Sequence, residues 1–109
     1  MKSEKEGEKM ADFTRIVDNY FPKLEMYTLP LTRAHGKNHP EVFRVHELFQ
    51  LMNEKVKENT ASKVKLDKEF SELRQVTNHY TLPSDACETY EAVYSMLAEA
   101  DEVYYQQNE

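Results

Sequence analysis

The sequence predicts an all-α fold, an antiparallel up-and-down four-helix bundle. Three observations carry this expectation. Breakers are sparse: 109 residues hold two glycines, Gly7 and Gly36, and four prolines, Pro22, Pro30, Pro40 and Pro83, spaced as punctuation between long charged and apolar segments. Within those segments apolar residues recur at three- and four-residue steps, the period of one buried helical face. The connections are short, which favours neighbouring helices that run in opposite directions.

Residues 1–9 alternate Lys, Glu, Ser and Gly without apolar periodicity, so they read as a flexible charged tail and the helical domain spans 10–109. From Met10 onward Phe13, Val17, Tyr20, Phe21, Leu24, Tyr27 and Leu31 form the stripe of a first helix. Pro22 and Pro30 fall inside it. A proline lacks an amide donor and crowds the preceding turn, so a kink or break is expected between residues 21 and 30. Gly36 supplies the stop. Pro40 suits a first helical position with Asn38 or His39 as cap, and Val42, Val45, Phe49, Met52 and Val56 carry a second helix to Glu58.

Leu66, Phe70, Leu73 and Thr77 mark a short third helix, entered through Thr60 or Ser62 as a cap and left at the loop from His79 to Pro83. The fourth opens on a capping box, Asp85 with Glu88 three residues on, and puts Tyr90, Val93, Tyr94, Leu97, Ala100 and Tyr104 on one face. The segment between Glu58 and Lys63 has no glycine or proline. One continuous helix over residues 41–79 is therefore an alternative, with the open hairpin completed by a second chain in a domain-swapped dimer.

Charge and size exclude several functions. Twenty acidic against 14 basic side chains give a net charge of -6, which argues against nucleic acid and anionic membrane, since both need a basic face. No run approaches the roughly 18 apolar residues of a spanning helix, and the first ten residues lack the apolar segment of a secretory signal, so a cytoplasmic chain is expected. The single cysteine, Cys87, rules out an internal disulfide, a Cys-x-x-Cys pair and an all-cysteine metal site. A chain of this size buries roughly 60–68% of its unfolded surface. That is enough for a core but not for a core and a deep substrate cavity, so an enzyme is not expected.

The chemistry-bearing residues are few. His35 and His39 stand four apart, but Gly36 and Pro40 place them on a turn, where a structural role is favoured over a weak transition-metal site. His46, beside Glu47, reads as part of a solvated helix face, and His79 as a loop residue able to bond the backbone. Cys87 opens the fourth helix, where the helix dipole can activate a thiol, so a redox role stands beside the reading as a small buried hydrophobe. The pairs Glu54/Glu58, Glu69/Glu72, Glu88/Glu91 and Glu99/Glu102 read as solvated acidic surface. Tyr90, Tyr94, Tyr104 and Tyr105 are expected in the core and at a helix end. No Ser-His-Asp or Cys-His grouping and no glycine-rich phosphate loop is evident.

Two stretches are more specific: Thr32-Arg33-Ala34-His35-Gly36-Lys37-Asn38-His39-Pro40-Glu41, and Leu73-Arg74-Gln75-Val76-Thr77-Asn78-His79-Tyr80-Thr81-Leu82-Pro83-Ser84-Asp85-Ala86-Cys87. Together they resemble the bacterial iron-sulfur cluster repair proteins that carry a hemerythrin-like di-iron domain. In that family a V-H-G-x-x-H-P-E-L turn joins helices one and two, and an L-T-N-N-Y-x-P-P-x-D-A-C turn joins helices three and four. The resemblance covers residues 11–107 in the same order and implies a hemerythrin-like bundle.

The ligands that the resemblance implies are almost all replaced. The family carries a His within helix one, a His-x-x-x-Glu on helix two, a His opening helix three and a second His-x-x-x-Glu on helix four, because residues four apart share one helix face. Matched from the His35 turn, the first His falls on Thr14 and the helix-two pair on Asn59 and Lys63. Matched from the Thr77-Asn78 turn, the helix-three His falls again on Lys63, so a stretch between helices two and three is missing. The last His falls on Gln107, and its Glu partner beyond Glu109. An ammonium such as that of Lys63 has no lone pair to give a metal. The four histidines are followed four residues on by His39, Phe43, Gln50 and Pro83, so no His-x-x-x-Glu occurs anywhere. The cysteine-bearing N-terminal segment of full-length members has no counterpart in the tail.

The resemblance with lost ligands implies a degenerate hemerythrin-like protein, metal-free and non-enzymatic, that works through protein-protein contacts and self-associates as a homodimer. The alternative keeps the family's stress response: non-haem iron and repair of iron-sulfur clusters damaged by nitrosative or oxidative stress, with His35 and His39 as weak metal candidates.

Overall fold

The computed structural model describes residues 12–59 and 63–107. The expected charged tail and the Thr60 and Ser62 caps lie outside the described residues. Four helices follow one another: α1 (Asp12–His35), α2 (Glu41–Glu58), α3 (Asp67–Val76) and α4 (Glu88–Gln107). Among the described residues there is no strand, and no helix is long and apolar enough to cross a membrane.

Helix α1 runs unbroken through Pro22 and Pro30, so the expected break does not occur. The reason is placement. Both prolines, with Asp18 and Met26 four residues before them, are exposed. The carbonyls that lose their amide partners therefore face water, which replaces the missing bonds. The opposite face buries Phe13, Ile16, Phe21, Leu24 and Leu31, with Val17, Tyr20 and Tyr27 packed against that core. Gly36, directly after the last residue of α1, is glycine because of space and not because of a left-handed backbone. A Cβ there would stand 2.5 Å from the Phe43 ring and from the Thr32 carbonyl oxygen.

Helix α2 starts one residue after Pro40, with the His39 and Pro40 carbonyls accepting the amides of Val42 and Phe43 at 3.1 Å each. No side chain caps it, so Asn38 and His39 do not fill that expected role. It buries Val42, Val45, Leu48, Phe49 and Met52. It ends at Asn59, which is extended (φ -130°, ψ 163°) and donates both its backbone and its side-chain N–H to the Lys55 carbonyl. Asparagine competes in this way for backbone groups and stops helices. Beyond it Val64 and Leu66 turn into the core. Helices α2 and α3 are thus separate, and the continuous helix over 41–79 is not formed.

Helix α3 has ten residues, of which Glu69, Phe70 and Leu73 are buried. Its entry is fixed from α4: the Leu66 amide donates to the Tyr104 hydroxyl at 2.8 Å. Its exit is a run of three left-handed residues, Asn78 (φ 52°), His79 (φ 59°) and Tyr80 (φ 62°). Thr77 holds that run in place by donating its hydroxyl to the Leu73 carbonyl and accepting the Tyr80 amide, each at 2.7 Å. Such backbone costs about 1–2 kcal/mol per residue, and the contacts of Tyr80 described below offset it.

Helix α4 buries Tyr90, Val93, Tyr94, Met96, Leu97, Ala100, Asp101 and Tyr104. The expected capping box is not formed: α4 begins only at Glu88, and the Asp85 carboxylate, in the turn before it, is engaged by His39. Helix α1 packs against both α2 and α4, and α3 against α2. Phe13 near the start of α1 meets Tyr104 near the end of α4, and His35 at the end of α1 meets Tyr90 near the start of α4.

Candidate functional site

The two stretches singled out by resemblance come together at one end of the fold. His35 closes α1, His39 lies in the connection to α2, and Asp85 and Cys87 lie in the connection that opens α4. The His35 carbonyl accepts the His39 amide at 2.7 Å, which folds the first connection back on itself. Across the gap His35 Nε2 lies 3.3 Å from Cys87 Sγ, and His39 Nε2 lies 2.8 and 3.1 Å from the two Asp85 carboxylate oxygens. Glu41 Oε2 approaches His39 Nδ1 at 3.5 Å. Beneath them the Tyr90 ring takes His35 edge-on at 4.9 Å between centroids and His39 at 5.8 Å.

The electrostatics follow from these contacts. The hydrogen bond from His39 holds the Asp85 carboxyl below its usual range. Burial pushes the phenols of Tyr90 and Tyr94 up, so both are neutral donors at neutral pH. The Tyr90 hydroxyl is buried and interacts with Tyr94 and Glu41.

His35 and His39, the weak metal candidates from their spacing, lie side by side at this end of the fold. Their ring centroids are 6.3 Å apart, and each ring engages a different partner across the gap. Among the described residues no group of three or more His, Cys, Asp or Glu side chains is placed to hold a metal ion. Thr14, Asn59 and Lys63 are exposed and Gln107 is half-buried.

Three other readings change. His46 is not on a solvated face. It is half-buried, its Nδ1 is 2.8 Å from the hydroxyl of fully buried Thr28, and it helps line a groove of about 300 Å³ with Glu25, Asn53 and Glu54. Cys87 is exposed, not a buried hydrophobe. Glu69 and Glu72 are not bare acidic surface: buried Glu69 accepts from Lys55 Nζ at 2.7 Å and Glu72 from Arg44 at 2.6 and 2.9 Å. His79 is exposed in the left-handed turn.

His46 makes stability pH-dependent. Burial lowers its pKa below 6.5, so the unfolded chain binds the proton more tightly than the folded one, and stability falls as pH drops from 6.5 through the folded value. Replacing His46 by Gln is expected to flatten urea-melt stability across pH 5–7 relative to the parent chain. An unchanged slope would assign that pH dependence to another group.

A buried polar network was not legible. Asp101, 6% exposed, accepts Arg74 Nη1 at 2.7 and 2.9 Å and the Tyr80 hydroxyl at 2.7 Å, while the Arg74 guanidinium lies 5.0 Å from the Tyr105 ring centre. The available signal was spacing, since Asp101 falls on the apolar stripe next to Ala100 and three residues before Tyr104, and an acid on a buried face calls for a partner. Comparisons of the chain with protein-family models, curated proteins and solved structures give no match.

Proposed function

We propose that the chain is a degenerate hemerythrin-like domain, an antiparallel bundle related to the iron-sulfur cluster repair proteins, that works in the cytoplasm without metal or catalysis through protein contacts, as a homodimer. One observation carries the reading. The turns that resemble the family's pack against each other through His35, His39, Asp85 and Cys87, while three of the positions matched to its ligands, Thr14, Asn59 and Lys63, lie exposed. The interior between the helices is filled by Phe13, Leu24, Phe49, Phe70 and Leu97, each at most 1% exposed, which supports a packed scaffold over a polar metal chamber. Met26, Leu29, Phe43 and Leu51 on the outer faces of α1 and α2 are 41–67% exposed, and such apolar surface supports a contact role.

The test is iron per chain after anaerobic incubation with ferrous iron and desalting, together with light scattering on the eluted species. The expected result is a dimer without stoichiometric iron. Two irons per chain would overturn the metal-free reading, and a monomer at every accessible concentration would overturn the homodimer.

A further inference from the structure

We propose that Cys87 and His35 form a thiol-exchange site, in which Cys87 takes up small-molecule disulfides as mixed disulfides with His35 Nε2 as its proton acceptor. The pair is made by the fold, since its members are 52 residues apart and meet at 3.3 Å. Cys87 Sγ belongs to the chain's one cysteine and is exposed, so a disulfide can reach it from solvent. The imidazole is seated against the fully buried Tyr90 ring at 4.9 Å. The two connections that carry the pair are tied together by the His39–Asp85 hydrogen bonds.

One further feature favours thiolate chemistry in this corner. Cys87 precedes the first residue of α4, and its carbonyl accepts the Glu91 amide at 3.0 Å. The unpaired amides of that first turn therefore lie close to any negative charge that develops on sulfur. The Tyr90 hydroxyl is buried beside Tyr94 and Glu41, so the ring is a fixed floor under the two imidazoles. The groups facing the pair are His39 from the first connection, Glu41 from α2, Asp85 from the second connection and Tyr90 from α4.

The exchange balances without an added oxidant. The Cys87 S–H bond breaks and its proton passes to His35 Nε2 as the sulfur attacks one sulfur of the incoming disulfide. A new S–S bond forms while the old one breaks. The proton on His35 passes to the departing thiolate or, where that thiolate is too weak a base to take it, to solvent, leaving one mixed disulfide and one released thiol or thiolate.

The experiment uses the full chain and 5,5′-dithiobis(2-nitrobenzoate), an aromatic disulfide whose released thiolate is coloured, with all signal arising from Cys87. At pH 6.5 the folded chain is expected to react at least about tenfold faster than His35→Gln, in line with the contribution of a positioned base. The two rates should converge near pH 9.5, where hydroxide removes the proton unaided. A second comparison needs no variant: at pH 6.5 the folded chain should outpace the same chain unfolded in urea, after correction with glutathione as reference thiol. Equal rates for parent and His35→Gln across the pH range would overturn the proposal. So would a folded chain that reacts no faster than the unfolded one.

Discussion

Replacing Phe70 by alanine is expected to lower stability by about 3–5 kcal/mol, the usual cost of emptying a large buried aromatic site, and to release α3 before the other helices. The reason lies in how little else holds that helix. It has ten residues, and an isolated helix shorter than about 12–15 residues is marginal in water, so its order comes from the side chains it buries. Phe70 is fully buried, 5.3 Å from the Tyr104 ring centre and 6.4 Å from that of Tyr105. Tyr104 in turn meets Phe13 of α1 edge-on at 5.4 Å and accepts the Leu66 amide that opens α3. One side chain thus links the entry of α3, the end of α4 and the start of α1. Urea unfolding followed by circular dichroism measures the loss, and native-state hydrogen exchange locates it. The amides of residues 67–76 should lose protection while α1 and α2 keep theirs where Phe21 meets Phe49. A loss below about 1 kcal/mol with α3 still protected would mean that the ion pairs Lys55–Glu69 and Arg44–Glu72 hold the helix instead, well beyond the usual worth of partly exposed pairs.

What was legible in the sequence was whatever repeats locally. Val42, Val45, Phe49 and Met52 on α2, and Tyr90, Val93, Tyr94, Leu97, Ala100 and Tyr104 on α4, are buried as their three- and four-residue spacing predicts. Local rules failed where a distant partner decided the outcome. Asp85 and Glu88 have the spacing of a capping box, yet the carboxylate is claimed by His39, 46 residues away. Three more cases turn on surroundings that no local rule sees. His46 looked solvated because Glu47 follows it, but Thr28 of α1 takes its ring nitrogen. The prolines of α1 looked like breakers, and whether they break a helix depends on which face they occupy. His35 and Cys87 pair although no local pattern joins residues 52 apart. The candidate site was therefore legible as two turns and not as the pairs that cross between them.

Removing the Asp101 carboxylate is expected to have the second largest effect, about 3 kcal/mol for Asp101→Ala, because breaking a buried ion pair strands its partner. The magnitude falls at the lower end of that range because the Arg74 side chain is 31% exposed and regains some water. Tyr80 raises the stake. Its hydroxyl donates to Asp101 at 2.7 Å, and its backbone is the last of three left-handed residues, so the anchor that offsets the strain of residues 78–80 goes with the carboxylate. Asp101→Asn keeps one acceptor and should cost about 1–2 kcal/mol, near the price of weakened hydrogen bonds alone. The distinguishing measurement is a double-mutant cycle with Tyr80→Phe in urea unfolding. Coupling of about 1 kcal/mol or more is expected if the two side chains act as one unit, whereas strict additivity would show that the turn keeps its shape without Asp101. The turn also runs directly into residues 81–87, which carry Asp85 and Cys87 to His39 and His35. In Asp101→Ala the hydrogen bonds across the candidate site should therefore loosen, read as faster exchange of the amides of Ala86 and Glu91, which bond to the Pro83 and Cys87 carbonyls at 3.2 and 3.0 Å.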